Sequence, residues 1–271
     1  MTERGLFEAT LMEIRKVKAP HIHIEDFNYF ANKSIQEYIN EQYNVFETTQ
    51  QTTDALNSIT SYVNYKFNYN GPATTVTISG NTLAPSTVSY ITGERYKSKF
   101  SQVNLPQDYF HLLNCVTDVE TKFNYKCYPA GFIHSGGTKK LNADSASNVM
   151  SNAWLKPAYN RTFYKFLDHA NVNSVNTTQA NNNNTAPDIQ VYYGPFDNKF
   201  RVNNIYVEYL RKPRVINLTQ LQIDSPLDTS NLMDFTDYVC NEIVKRMVKL
   251  VLENSKDPRL NTFIPVNNTV K

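Results

Sequence analysis

The sequence YVEYLRKPRVINL, residues 206–218, lies where the pattern of the whole chain changes. Its first residues alternate between apolar and polar side chains, which is typical of a half-buried β-strand. Pro213 has no backbone N–H to donate to a neighbouring strand, so the strand must end there. Three cations surround this proline: Arg211, Lys212 and Arg214. The stretch therefore predicts the end of a strand with a strongly basic tip.

The residues before this stretch predict a hairpin. IQVYYG, residues 189–194, and FRVNNIYVEYL, residues 200–210, alternate on either side of the turn-forming tetrapeptide PFDN. We expect the two runs to pair as antiparallel strands. Further upstream, residues 171–188 form a polar tract with four consecutive asparagines, which lacks the apolar surface needed to order itself. We predict that this tract is an exposed hairpin tip.

The residues after the stretch predict a link and then a long helix. Residues 216–230 show no regular period and predict an irregular connection. A helix is predicted from near Asp234, with acids at its start and bases toward its end, as the helix dipole favours. Lys245, Arg246 and Lys249 form a basic patch on its polar face. Its apolar residues form one wide stripe: Phe235, Val239, Cys240, Ile243, Val244, Met247, Val248, Val251 and Leu252.

The first part of the chain predicts helices as well. Between residues 24 and 46 apolar side chains recur at three- and four-residue spacing, which indicates an amphipathic helix. A shorter helix is predicted at TTDALNSI, residues 52–59, with Thr52 or Thr53 as its N-cap. The N-terminal region is therefore expected to be helical.

The middle of the chain predicts β-strands. From Val63 to Tyr69 apolar and polar residues alternate, as in a half-buried strand. Residues 73–98 predict short strands joined by turns, and residues 105–131 predict two strands that meet near 118–121. The alternation that supports the second of these is carried by Phe123, Tyr125 and Cys127. Beyond them we predict a short helix closed by Pro157 and a strand within residues 162–170.

The composition bounds what the protein can be. With 271 residues and 41% hydrophobic content, the chain can form one large domain or two closely packed lobes. A net charge of only +2 means that any contact with DNA must be local. Three scattered cysteines, Cys115, Cys127 and Cys240, indicate reduced thiols and an intracellular origin. We expect no signal peptide and no membrane span. The 18 Tyr and 15 Phe suit both a packed sheet and a protein interface.

A search for catalytic or metal-binding motifs finds none with a specific pattern. His21 and His23 lie two apart, but nothing nearby supplies further ligands. SGGTKK, residues 135–140, lacks the spacing of a phosphate-binding loop and predicts a turn. Ser101, His111 and Asp118 are the residue types of a nucleophilic triad without its local signature. We therefore predict no catalytic site, no metal site and no cofactor.

Two basic clusters remain that a folded core does not need. One is Arg211, Lys212 and Arg214, and the other is the patch of Lys245, Arg246 and Lys249. Either cluster is a solvated rim, or it contacts acidic neighbours such as another subunit or the phosphates of DNA.

The order of elements resembles a known class of proteins. A helical N-terminus, tyrosine-rich strands, VEYLRKPRVINL and the terminal DFTDYVCNEIVKRMVKLVLE resemble the head-to-tail connector proteins of short-tailed bacteriophages. LPQDYFHLLNCV, residues 105–116, and NAWLKPAYNRTFYKF, residues 152–166, are similar more narrowly to ring proteins of the crAss-like phages. The resemblance covers about the last two-thirds of the chain and includes no catalytic motif.

The resemblance implies an α+β fold in which the N- and C-terminal helices form one lobe, packed on an antiparallel β-rich lobe with projecting hairpin arms. The implied regions are residues 1–60, 61–215 and 216–271. The arms would be the asparagine-rich tract and the loop GGTKKLNADSASN, residues 136–148. YLRKP would mark the crossing from the β-rich lobe to the helical lobe.

The resemblance also implies a function and partners. The protein would form a ring, usually of twelve copies, between the portal and the next tail or ring protein of the virion. It would be assembled in the host bacterial cytoplasm, and packaged double-stranded DNA would pass through it without sequence specificity. Lys245, Arg246 and Lys249 are expected at the channel. The residues expected at subunit interfaces are Arg211, Lys212, Arg214, Tyr192, Tyr193, Asn182 and Asn183.

Two other classes compete with the connector. One is a tail-fibre or receptor-binding β module that recognises glycans through exposed tyrosines, and the other is a tail-associated hydrolase. The terminal amphipathic helix with its N-terminal helical partner favours the connector, since a trimeric fibre module does not need them. The hydrolase lacks its motifs.

Overall fold

A computed structural model describes the following residues of the chain: 1–16, 22–46, 50–69, 75–80, 90–95, 98–124, 128–152, 154–167, 187–195 and 199–254. Two compact units divide the chain, one made of Met1–Ile59 with Pro213–Lys271 and the other of Thr60–Lys212. The first contains helices from both ends of the sequence, and the second contains two sheets with mostly antiparallel pairing. The prediction of an α+β fold is confirmed.

The helices of the described residues are α1 (Glu3–Lys16), α2 (Ile24–Asn44), α3 (Gln50–Asn57), α4 (Ala143–Ser151), α5 (Gln220–Asp224) and α6 (Asp237–Asn254). The strands are β1 (Thr60–Asn68), β2 (Thr75–Gly80), β3 (Tyr90–Arg95), β4 (Ser98–Asn104), β5 (Tyr109–Thr121), β6 (Ile133–Gly137), β7 (Lys139–Lys140), β8 (Phe163–Leu167), β9 (Asp188–Pro195) and β10 (Phe200–Arg211). No helix in this part of the chain has the length and apolar content that a bilayer crossing requires.

The helical unit is built around α6, which packs against both α1 and α2. In the same unit, Phe7 of α1 and Phe27 of α2 pack edge to face, with their ring centroids 4.9 Å apart. The apolar stripe predicted for the last helix is buried along its whole length. The stripe predicted for residues 24–46 is buried from Phe27 to Tyr38 but exposed at Val45, just beyond α2. However, α6 begins at Asp237, with the Thr236 carbonyl accepting from the N–H of Cys240 at 3.0 Å, so Phe235 is buried just before the helix.

Two asparagines on α2 hold the start of the C-terminal segment by reciprocal hydrogen bonds. Asn32 donates to the carbonyl of Ile216 and accepts from its N–H, both at 2.9 Å. Asn28 makes the same two bonds with Leu218, at 2.9 and 3.0 Å. We call these two side chains the asparagine clamp. Because Ile216 and Leu218 are buried, water does not replace these bonds.

The clamp works because the spacing of residues along the helix matches the spacing of residues along the extended segment. Residues four apart on a helix are separated by about 6 Å along its axis. Alternate residues of an extended chain are separated by about 6.6 Å and direct their N–H and C=O groups to the same side. A side-chain amide carries one carbonyl and one NH₂ group, so it can pair with both. Asn28 and Asn32 therefore act toward the segment as a neighbouring strand would.

The segment then continues beside the start of α1. Arg4 donates to the carbonyl of Ser225 at 2.8 Å, and the hydroxyl of Thr2 donates to Asp228 at 2.6 Å. The amine of Met1 lies 2.5 Å from a carboxylate oxygen of Asp237. Hydrogen bonds to α2 and to the first residues of the chain therefore hold this segment in place from Ile216 to the first turn of α6.

The β unit contains two five-stranded sheets. Sheet 1 has the order β2-β1-β10-β5-β6, and sheet 2 has the order β3-β4-β9-β8-β7. Among the strands that the structure describes, every pairing is antiparallel apart from the two-residue pairing of β7 with β8. The sheets share one core, to which sheet 1 gives Val63, Tyr65 and Phe67 of β1 and sheet 2 gives Ile189 and Val191 of β9. The alternation predicted from Val63 to Tyr69 is confirmed as far as Phe67, and Tyr69, just beyond β1, is partly buried against the same core.

The predicted hairpin of residues 189–194 with residues 200–210 is wrong. In the structure β9 pairs with β4 and β8, whereas β10 pairs with β1 and β5. Both hydrogen-bonding edges of each strand are thus taken by partners distant in sequence. A turn-forming tetrapeptide between two alternating runs is compatible with either arrangement, because it also lets the chain pass from one sheet to the other.

Of the two strands predicted within residues 105–131, the first is found as β5, which runs through the predicted meeting point at 118–121 and ends at Thr121. A register shift against β10 between Leu112 and Asn114 changes which side chains point inward, so Leu112 and Cys115 are both buried. This bulge interrupts the period of two in the sequence without ending the strand. Phe123 lies beyond β5 and is exposed, while Tyr125 and Cys127 lie outside the described residues.

The predicted turn at residues 135–140 is also wrong. β6 belongs to sheet 1 and β7 to sheet 2, so the chain crosses between the sheets at Thr138. The hydroxyl of Thr138 lies 2.7 Å from that of Thr117 and 2.9 Å from that of Thr162. Residues 136–148 therefore form strands and the start of α4 rather than a projecting arm. The other predicted arm, the asparagine-rich tract, lies outside the described residues except for Asp188 and its neighbour Pro187.

Smaller differences concern helix ends. Thr52 and Thr53 lie within α3 and not at its N-cap, and α4 ends at Ser151, well before Pro157. The short helix α5 falls in the link that was predicted to be irregular. A strand was predicted within residues 162–170, and β8 is found there.

Removing either side chain of the asparagine clamp should destabilise the protein. Asn28→Ala or Asn32→Ala leaves a buried N–H and a buried C=O without partners, which we expect to cost about 1–3 kcal/mol in the free energy of unfolding. Alanine is the better helix former, so the loss cannot come from helix propensity. Urea denaturation measures it. Gln36→Ala, at an exposed position of α2, is the control and should change stability by less than about 0.5 kcal/mol.

The buried cysteines should be protected from thiol reagents. Burial raises the pKa of Cys115 to about 12 and that of Cys240 to about 11. Since the thiolate is the reactive form, we expect both thiols of a Cys127→Ser variant to react at least about 100-fold more slowly in the native than in the unfolded protein near pH 8. A chromogenic disulfide reagent measures the rates. Equal rates would show that the core is open.

Candidate interaction site

The segment between β10 and α6 exposes large aliphatic side chains. Four of them are largely in solvent: Val215 at 72%, Leu221 at 84%, Leu227 at 75% and Leu232 at 70%. We call residues 213–236 the exposed link. Its helix α5 buries no side chain of its own and is held by a capping box, in which Thr219 and Gln222 bond to each other's backbone. Single exposed aliphatic residues are common on protein surfaces, but four within one such segment make it a candidate interaction surface.

The backbone of the exposed link is fixed although its side chains are in solvent. The asparagine clamp holds its first part, and Arg4 and Thr2 hold its later part. Ser230 donates twice to Asp228, and these bonds together with that from Thr2 hold the pKa of the Asp228 carboxyl below its usual value. A partner that binds here would therefore not have to order the main chain, which lowers the entropy cost of association.

A groove lies beside α1 and α6 in the same helical unit. Its volume is about 500 Å³. Met12 and Tyr238 stand at its edge, exposed at 61% and 54%. Its polar groups include Glu13, Glu242 and Lys245. The helical unit thus offers a shallow, partly apolar depression in addition to the exposed link.

The predicted basic patch on α6 is matched by acids. Lys245 lies 2.9 Å from Glu242, Lys249 lies 3.7 Å from Glu253, and Arg246 lies 2.6 Å from Glu41 of α2. Three cations therefore face three carboxylates. The patch therefore carries little net charge that could attract DNA.

Arg246 has a second contact. Its guanidinium lies over the ring of Tyr38, 5.3 Å from the centroid, in a cation–π arrangement. Tyr38 is buried on α2, and burial is the main reason why its pKa rises to about 12, with the neighbouring Tyr238 adding to the effect. The arginine thus takes part in the packing of α6 against α2.

The other predicted cluster is divided between the units. Arg211 ends β10, and Lys212 is exposed and donates its backbone N–H to the carbonyl of Asp108 at 2.6 Å. Arg214 opens the C-terminal part of the helical unit, where its N–H bonds to a carboxylate oxygen of Asp234 at 2.7 Å. These residues lie at the crossing between the units, as the sequence predicts for YLRKP.

The tyrosines predicted at an interface are interior residues. Tyr192 is fully buried, donates to Gln190 at 2.5 Å and packs with Leu141, Met150 and Phe163 under α4. Tyr193 belongs to the core shared by the two sheets. Their side chains are occupied within the chain because β9 is buried on both faces, so they do not form a surface. Asn182 and Asn183 lie outside the described residues.

The residue types considered for catalysis are not brought together. Ser101 is buried on β4 of sheet 2, whereas His111 and Asp118 lie on β5 of sheet 1. Asp118 accepts instead from Ser135 at 2.5 Å and from Asn204 at 2.7 Å. Among the residues that the structure describes, no group of three or more His, Cys, Asp or Glu side chains is placed to hold a metal ion. His21 is outside them, and His23 precedes α2 as its N-cap.

No model of a known protein family matches the chain, and no curated protein sequence matches it. The function must therefore be inferred from the chain's own residues.

The buried Tyr38 should make the protein sensitive to alkali. The folded state keeps its proton up to a pKa of about 12, whereas the unfolded state loses it near 10, so stability falls as the pH rises through this interval. We expect Tyr38→Phe to reduce that fall by up to about 1.4 kcal/mol per pH unit. Urea denaturation between about pH 9 and 11.5 measures it. Tyr29→Phe, an exposed ring on the same helix, is the control.

Proposed function

We propose that the chain is a structural virion protein, a subunit of a ring that connects the portal to the tail of a short-tailed bacteriophage. The ring would be dodecameric and most similar to the ring proteins of crAss-like phages. It would seal the filled head and form part of the channel through which the DNA leaves. The role is mechanical, and no catalytic step is assigned to any residue.

The exposed link carries this proposal. It presents Val215, Leu221, Leu227 and Leu232 on a backbone that is already fixed by hydrogen bonds to α1 and α2. Burying one such side chain is worth about 1.5–3 kcal/mol. A segment that keeps four of them in water, with an ordered main chain, is suited to a protein partner rather than to a small substrate.

The division of the chain also supports a ring. A ring closes through heterologous contacts, in which two different surfaces of one subunit meet on adjacent copies. A protein with a helical unit and a β unit can offer two such surfaces. We assign the exposed link to one of these contacts, with the identical subunit, the portal protein or the next tail protein as its occupant. Localisation at the portal–tail junction of the virion, after assembly in the host cytoplasm, follows from the same proposal.

Mixing the purified chain with the portal protein of the same phage tests the proposal. Negative-stain microscopy and native mass measurement should show rings stacked on the portal. Trimers that bind glycans would overturn it in favour of a fibre module, and a monomer that cleaves polysaccharide would overturn it in favour of a hydrolase.

A variant of the exposed link makes the test specific. We expect Leu221→Ser/Leu227→Ser/Leu232→Ser to weaken ring formation or portal binding at least tenfold, because each change removes about 1.5 kcal/mol or more of apolar burial in the complex. Val45→Ser/Ile133→Ser/Leu155→Ser alters three aliphatic residues that are exposed outside the link and is the control. Equal assembly by both variants would show that the exposed link is not part of the interface.

A further inference from the structure

The chain has a single tryptophan, and it stands in solvent. Trp154 is 85% exposed, and Leu155, which follows it, is 49% exposed. Tryptophan is highly buried on average in folded proteins. Burying an aromatic side chain of this kind removes about 150–250 Å² from water. Tryptophan is also enriched among the residues that dominate the binding energy of protein interfaces. Trp154 is therefore a candidate anchor for a partner.

The main chain that carries Trp154 is fixed by Asn152. This residue is the C-cap of α4, and its N–H donates to the carbonyl of Asn148 at 3.1 Å. Its side-chain oxygen accepts from the N–H of Trp154 at 2.8 Å and from that of Leu155 at 3.3 Å. Its carbonyl accepts from the N–H of Lys156 at 3.0 Å. One asparagine thus holds three consecutive residues, and a partner does not have to order this turn to reach the indole.

The groove beside α1 and α6 has the size and the side chains that an indole requires. Its volume of about 500 Å³ lies within the range of about 300–1,000 Å³ for pockets that enclose small ligands. The thioether of Met12 and the ring of Tyr238 border it, and both groups contact aromatic rings favourably. Glu13 and Glu242 also line it. Their oxygens can accept the N–H of a buried indole, since each carboxylate accepts several hydrogen bonds.

We propose that Trp154 of one copy inserts into the groove of a second copy, so that identical chains join head to tail. The two surfaces come from different parts of the chain: the turn after α4 in the β unit, and helices α1 and α6 in the helical unit. A contact of this kind is heterologous, and its repetition closes a ring when the rotation between copies allows. The inference names the contact between subunits and in that respect rests on the proposed ring.

The exposed side chains on both surfaces favour a second copy as the occupant. Met12 and Tyr238 at the groove are exposed at 61% and 54%, and Trp154 is more exposed than either. One contact between two copies removes all three from water, and burial of apolar surface is the main driving force of association. Lys156 follows the indole closely and would approach the two carboxylates of the groove lining, so the charges also match.

Two variants with complementary defects test the inference through the tryptophan itself. Met12→Glu keeps Trp154 but places a charge in its own groove, and Trp154→Ser keeps the groove but has no tryptophan. We expect the fluorescence of Met12→Glu to shift to shorter wavelength when Trp154→Ser is added, because the indole leaves water. Both altered residues are largely exposed, so each variant should fold as the native chain does, which circular dichroism checks.

A matched pair of added chains shows whether the groove is the binding site. Trp154→Ser/Met12→Glu should bind at least about tenfold more weakly than Trp154→Ser, as expected when the pocket of an interface anchor is altered. Trp154→Ser/Tyr29→Glu has the same new charge at an exposed position of α2 and should bind within about twofold of Trp154→Ser. Equal binding by these two, or no shift with Trp154→Ser at any concentration, would overturn the inference. A shift with the portal protein but not with Trp154→Ser would overturn it in favour of another partner.

Native mass measurement separates this inference from the proposed ring. Met12→Glu and Trp154→Ser should each remain monomeric, whereas their mixture should contain dimers, because each supplies the surface that the other lacks. Rings of Trp154→Ser on the portal as abundant as those of the native chain would refute the contact and leave the connector standing. Dimers in the mixture without rings of the native chain on the portal would refute the connector alone.

Discussion

The helical unit depends on two side-chain amides, which bond to the backbone of another segment as a neighbouring strand would. Its parts come from opposite ends of the chain, and the residues joined by the asparagine clamp are 184 and 190 positions apart. Apolar packing holds α6 against α1 and α2, but it does not by itself fix where the connecting segment runs. Asn28 and Asn32 do so because each pairs with both polar groups of one buried residue. The direction of the exposed link, and with it the side chains that face solvent, follows from this constraint.

Charge is distributed in a way that the sequence conceals. A basic run on a helix suggests an anion-binding face, but carboxylates on the same helix and on α2 lie within ion-pair distance of it. A run of cations in the sequence therefore overstates the net charge of the surface that it forms.

Elements with one strong period could be predicted from the sequence, and those that depend on distant partners could not. The stripes of α2 and α6 and the alternation of β1 satisfy this condition. Residues 1–60 were expected to be helical, but α1 was not predicted as a separate helix, because its buried face includes Glu3 and Thr10, whose polar side chains interrupt the apolar spacing. The pairing of β9 with β4 and the bulge in β5 against β10 are set by strands more than 80 residues away, as the bond between Gln102 and Asp188 shows at a separation of 86. The exposed link was missed for a related reason: leucines in a sequence suggest a core, and only the fold shows which of them is left outside.

The first and last strands of the β unit are direct neighbours in sheet 1, with Thr60 opposite Leu210. The chain therefore enters and leaves the β unit at two points that are one strand spacing apart, about 5 Å. Because the two ends of the β unit lie this close together, the helical unit that contains the insertion loses little entropy in joining them. This holds whatever the length of the inserted β unit. Evolution can accordingly exchange, enlarge or trim this module while the surrounding helices retain their own sequence requirements.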